Sequence, residues 1–98
     1  MTRYSVRYEK RFIRRLKRLT KKDRWLRLRS RDILLRISDN PFRISLRTHK
    51  VNTRFLGKAY SSRVTANLRI TWRFVKDNPE EIIILDIGGH EGKHKVYK

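Results

Sequence analysis

Arg63 and Arg69 are the side chains whose types and spacing first suggest chemistry in this sequence. They flank a short stretch around Ala66. On either side, apolar residues alternate with polar ones, most clearly Leu68, Ile70, Trp72 and Phe74 with Arg69, Thr71 and Arg73 between them. That period of two predicts a pair of strands. If Ala66 is the centre of a three-residue loop, Val64 pairs with Leu68, Ser62 with Ile70 and Tyr60 with Trp72 on one face. The other face then holds Arg63 with Arg69, Ser61 with Thr71 and Ala59 with Arg73. A two-residue loop would place Arg63 on the face of Leu68 and Ile70, so the sorted register is expected. Two cations opposed across neighbouring strands repel unless an anion lies between them, and phosphate is the anion that suits such a pair.

The elements that must position this pair follow from the rest of the chain. Tyr4, Val6 and Tyr8 alternate with Arg3, Ser5 and Arg7, which reads as a short first strand. From about Glu9, Phe12, Leu16 and Leu19 recur at helical spacing among basic residues, predicting an amphipathic helix to about Leu19. Thr20, followed three residues later by Asp23, resembles a capping box and predicts a second helix running to about Ser38, with Leu26, Ile33 and Ile37 as its stripe and Leu34 beside it. Trp25, Trp72 and Phe74 are expected in the core. Asp39-Asn40-Pro41 stops the helix. Beyond it, Lys58 to Thr65, Leu68 to Lys76 and Glu81 to Ile87 read as extended, with a turn at Asp77-Asn78-Pro79. Ile82 to Leu85 is a continuous apolar run, as in a central strand covered on both faces. The expectation is an α+β fold in which an antiparallel sheet packs against an N-terminal two-helix hairpin, residues 1–98 forming one domain.

Composition narrows the partners. Against 27 Lys and Arg the chain has nine Asp and Glu, a formal charge of +18 that repels itself in a compact molecule. A polyanion relieves that repulsion, and nucleic acid is the first candidate because neutralised phosphates release counterions, although an anionic membrane or an acidic protein would serve the same charge. Twelve of the cations lie between Lys10 and Arg31, where Asp23 is the sole acid, so the helices are expected to present a basic face to a polyanion. The absence of cysteine excludes thiolate nucleophiles, thiolate metal sites and disulfide frameworks. No stretch approaches the ~20 apolar residues of a membrane span. No membrane partner is expected, and the location expected is cytoplasmic. At 98 residues the chain has room for one small core, burying roughly 60 to 65% of its unfolded surface.

Several fragments in order, His49-Lys50-Val51, Gly57-Lys58, Asn67-Leu68-Arg69-Ile70, Ile84 to Glu91 with its Gly88-Gly89-His90, and Val96-Tyr97-Lys98, resemble the RelE-like toxins of the RelE/ParE superfamily. The resemblance spans nearly the whole chain. It implies a toxin of a type II toxin-antitoxin system: a metal-independent, cofactor-free endoribonuclease that cleaves messenger RNA on the ribosome with the RNA 2′-hydroxyl as nucleophile. It also implies an acidic antitoxin protein as partner. Such a reaction needs an acceptor for the 2′-hydroxyl proton, a donor for the leaving 5′-oxygen and cations over the phosphate. By resemblance Arg63 and Arg69 are the phosphate-binding cations, His90 the terminal histidine and Tyr97 the aromatic that stacks on or activates the nucleotide. Lys50 and His49 belong near the same cleft. Six residues separate His90 from Tyr97, three more than in the commoner pattern, so His94 is the alternative for the histidine role. Two other readings stay open: a ParE-like toxin that binds DNA gyrase without nuclease activity, and a non-catalytic protein that binds ribosomal RNA.

Overall fold

The structure, a computed structural model, describes residues 3–54 and 56–89. Strand β1 (Ser5–Tyr8) leads into helices α1 (Lys10–Thr20) and α2 (Arg24–Asp39). A 3₁₀ turn (Ile44–Leu46) follows, and then strands β2 (His49–Thr53), β3 (Gly57–Arg63), β4 (Leu68–Val75) and β5 (Asn78–Gly89). They form one five-stranded sheet in the order β1-β5-β4-β3-β2. The α+β architecture with a helical hairpin against a sheet is as expected. One strand departs from the antiparallel pattern: β2 to β5 pair antiparallel, but β1 lies parallel to β5, Ser5 opposite Glu81 and Tyr8 opposite Ile84. Three antiparallel pairings separate β2 from β5, so β2 runs opposite to β5 and hence to β1.

The helices differ from expectation at their junction. Thr20 does not cap α2; its hydroxyl donates to the Leu16 carbonyl at 2.8 Å within the last turn of α1. The N-cap is Asp23, whose carboxylate accepts from the Leu26 amide at 2.9 Å. Asp satisfies an orphan donor of the first turn as well as Thr would, and the shift leaves a two-residue turn between the helices. Leu26, Ser30, Ile33 and Ile37 form the buried face of α2. Trp25 is not in the core as the sequence suggested. It stands about 100° around the helix from Leu26 and is 64% exposed.

The core lies between the hairpin and the sheet. Phe12 of α1 and Leu26, Ile33 and Ile37 of α2 pack on Val64, Ile70, Trp72, Ile82, Ile84 and Ile87. Trp72 is fully buried; its indole N–H donates to the Ser62 hydroxyl at 2.8 Å, so its one polar atom is satisfied. Phe74 is partly buried against the same cluster, as expected of it. Tyr60 stacks on Trp72 with ring centroids 4.8 Å apart. A smaller cluster, Ala59, Ile83 and Leu85 with Val51, Leu56 and Val75 around it, occupies the far face of the sheet. Ile82 to Leu85 is therefore buried on both faces, which explains its unbroken apolar run.

Candidate functional site

The hairpin of β3 and β4 takes the sorted register. Tyr60 lies opposite Trp72, Ser61 opposite Thr71, Ser62 opposite Ile70 and Arg63 opposite Arg69. Its loop is fixed by Thr65, whose hydroxyl accepts from the Asn67 amide at 3.2 Å and the Leu68 amide at 3.0 Å. This serine/threonine-type turn holds the loop in the length the register requires. The Val64 amide closes it on the Leu68 carbonyl at 2.9 Å.

On the face away from the helices the pleat sorts side chains into rows. Arg63 and Arg69 form one row, with Gly88 of β5 opposite Arg69 and contributing no side chain. The next row is His49, Ser61 and Thr71. Arg73 follows on β4, opposite Ile83. Both paired arginines are partly buried, and neither makes an ion pair among the described residues. Arg69 donates from Nη1 to the Thr65 carbonyl at 3.3 Å, while its Nε is buried without a partner. Thr71 Oγ1, in the neighbouring row, is likewise buried and unpartnered. Two guanidiniums with unmet donor capacity, beside an unpartnered hydroxyl, suit an acceptor bearing several oxygens and negative charge.

The other residues singled out from the sequence fall in three places. His49 shares the arginine face, and its Nδ1 lies 3.1 Å from the Arg47 carbonyl. Lys50, one position along, is opposite Tyr60 and so belongs to the face of Tyr60 and Trp72; it borders a groove of about 450 Å³ along β2 and β3. His90, His94 and Tyr97 lie outside the described residues. Thr71 and Ser61 were legible as members of the arginine face, because they alternate with Arg69 and Arg63, but nothing in the sequence marked the hydroxyl of Thr71 as unpartnered. No group of three potential metal-ligating side chains occurs among the described residues.

Two helices on one face of a mixed five-stranded sheet make a fold known from small toxins. The chain superposes on a YoeB/ParE toxin from Agrobacterium tumefaciens with a TM-score of 0.71 and 13% identity, covering 89% of this chain and 99% of that one. It matches RelE in the archaeal RelE-RelB complex from Pyrococcus horikoshii with a TM-score of 0.68 and 16% identity over 89% of this chain and 94% of that one. It also matches the YoeB-YefM complex from Staphylococcus aureus, again with a TM-score of 0.68 and 16% identity, over 91% and 99%. By sequence, no family model and no curated protein matches the chain. At these identities the likeness establishes the fold.

Proposed function

We propose that this chain is a RelE/ParE-superfamily toxin of a toxin-antitoxin pair, and that it cleaves messenger RNA bound to the ribosome. The observation that carries the reading is the opposed pair Arg63 and Arg69 on a fold shared with YoeB and RelE. In the proposed reaction the RNA 2′-hydroxyl attacks the adjacent phosphorus, its proton passes to a base, and the 5′-oxygen leaves with a proton from an acid. The products are a 2′,3′-cyclic phosphate and a 5′-hydroxyl. Arg63 and Arg69 stabilise the charge gathering on the phosphate oxygens, a contribution worth several kcal/mol when the donors are already in place. No protein nucleophile is required. His90 or His94 and Tyr97 are proposed for proton transfer and nucleotide contact, with His49 on the arginine face as a further imidazole. Lys50 is proposed to meet the RNA from the rim at β2. The reaction is proposed to need no metal ion or cofactor and to take place in the cytoplasm, where messages are translated.

The proposed partner is an acidic antitoxin. The charge of +18 favours such a protein, and two of the neighbours are a RelE-RelB complex and a YoeB-YefM complex. Primer extension on translated messages after induction tests the function. Cuts phased with codons, absent for Arg69→Ala, are the expected result. Uncut messages with inhibited gyrase would instead select the ParE-like reading. Retained RNA binding without cleavage or gyrase inhibition would select the non-catalytic one.

A further inference from the structure

In a closed β-hairpin the two residues that flank the loop exchange both of their backbone hydrogen bonds. Between β3 and β4 one of these is made, from the Val64 amide to the Leu68 carbonyl at 2.9 Å. The Leu68 amide donates instead to the Thr65 hydroxyl at 3.0 Å, and the Val64 carbonyl is taken by a different element. Arg29 of α2, 35 positions away in sequence, donates to it from Nε at 3.0 Å. Val64 is fully buried, so without that donor its carbonyl would be an orphaned acceptor. The end of the hairpin is thus completed by the helix.

The carbonyl that Arg29 holds lies one peptide before that of Thr65, which accepts from Arg69 Nη1 at 3.3 Å. On its other side Val64 follows directly on Arg63, the opposed cation. Two arginines therefore grip successive carbonyls of one loop, Arg29 from the helices and Arg69 from the phosphate-binding pair. Arg29 also has an acid nearby: Asp32 Oδ2 lies 3.9 Å from its Nη1 and 3.1 Å from Arg36 Nε. That pair is well exposed and contributes little, whereas the Val64 carbonyl is out of reach of water. The bond from Nε is the one that fixes the loop.

We infer that Arg29 is a positioning residue for the phosphate site: by holding the Val64 carbonyl it sets the loop on which the Arg69 guanidinium rests, and so the aim of the Arg63 and Arg69 pair. Arg29 thereby serves the cleavage proposed above, on which this role rests, and it also governs anion binding by the free protein. What counts is a donor at the position of Nε and not the charge. Glutamine places its amide nitrogen at that same position along the side chain, without charge. Lysine keeps the charge, but has a methylene there and its donors one atom farther out.

Two measurements on the full chain compare Arg29→Gln with Arg29→Lys. In the first, inorganic phosphate is titrated while the Nε–Hε NMR signal of Arg69 is followed, assigned by its loss in Arg69→Lys; this Nε is buried without a partner and reports an arriving acceptor. Arg29→Lys should weaken phosphate binding about threefold or more, and Arg29→Gln less than that. In the second, single-turnover cleavage of ribosome-bound message should slow about ten- to hundredfold in Arg29→Lys, the cost of misplacing a group by about an ångström. The protein concentration for half-saturation should move less than about threefold. A mere loss of folded protein would lower the amplitude and leave the rate constant unchanged. Arg29→Gln should keep its rate constant within about threefold of the original. Equal or better performance by Arg29→Lys in both measurements would make charge the cause and overturn the proposal. An Arg29→Lys chain that does not fold makes the bond structural and overturns it too, as does a tenfold loss of rate in folded Arg29→Gln. If the unaltered protein binds phosphate at Arg69 yet cuts no message, the cleavage reading alone falls, and the phosphate titration decides the role of Arg29.

Discussion

On the face toward the helices, Tyr60, Ser62, Ile70 and Trp72 stack into a core in which the buried indole N–H has its acceptor. On the other face of the same two strands, one residue out of step, Arg63, Arg69 and Thr71 bring together cations and a hydroxyl whose hydrogen-bonding capacity is partly unmet. The backbone is shared, so the difference lies wholly in side chains. One face is organised for folding stability. The other bears unmet donors and like-charge repulsion, features that cost stability in the free protein and are relieved by a bound anion. A substitution on the first face should therefore act on stability, and one on the second on function.

The largest effect expected is that of Trp72→Ala, which deletes a fully buried aromatic and should cost about 3 to 5 kcal/mol of stability. Chemical denaturation measures it, and a loss under about 1 kcal/mol would break the contrast. Next comes Arg69→Ala. Cleavage in a ribosome-bound assay should fall about 10² to 10³-fold, the scale of losing one positioned donor at a charged transition state, while the melting temperature holds or rises. A variant that instead unfolds would make Arg69 a structural residue. Thr71→Val replaces a buried hydroxyl without a partner by a methyl group of similar shape, so stability should rise by up to about 1 kcal/mol. A lower melting temperature would mean that the hydroxyl is satisfied in solution. Trp25→Ser belongs to neither face. At its exposed position it should shift stability by less than about 0.5 kcal/mol, and a larger loss would mean that α2 packs on that side.

The register of the arginine pair could be read from the sequence because only one loop length separates charge from apolar surface, and a slip by one residue would exchange the two faces. The unbroken run Ile82 to Leu85 gave its two-sided burial away for the same reason. By contrast, β2 was missed. His49, Lys50 and Asn52 are exposed on an edge strand, so no alternation marks it. The parallel pairing of β1 joins residues more than seventy positions apart, Ser5 with Glu81, which no local pattern contains. Trp25 misled because a large aromatic beside Leu26 looks like part of the stripe until the helix phase is fixed. Of the candidate site, the paired arginines were legible from alternation. The placing of Lys50 on the opposite face from them depended on a strand the sequence did not reveal, and Arg29 looked like one more basic residue of α2 until its bond to the Val64 carbonyl was seen.

The parallel pairing of β1 with β5 has a consequence for synthesis. Ser5–Tyr8 leave the ribosome well before their hydrogen-bonding partners, Glu81 to Ile84, which belong to the last strand in chain order among the described residues. At about 5 to 20 residues per second, roughly 4 to 15 s pass before that pairing can form. Over that interval β3 can pair with β4 as a local hairpin, but the edge that ties the N-terminal strand and its helices to the sheet stays open. A chain of this topology thus keeps that edge of its sheet open, with the basic helices α1 and α2 already made, until β5 has been translated.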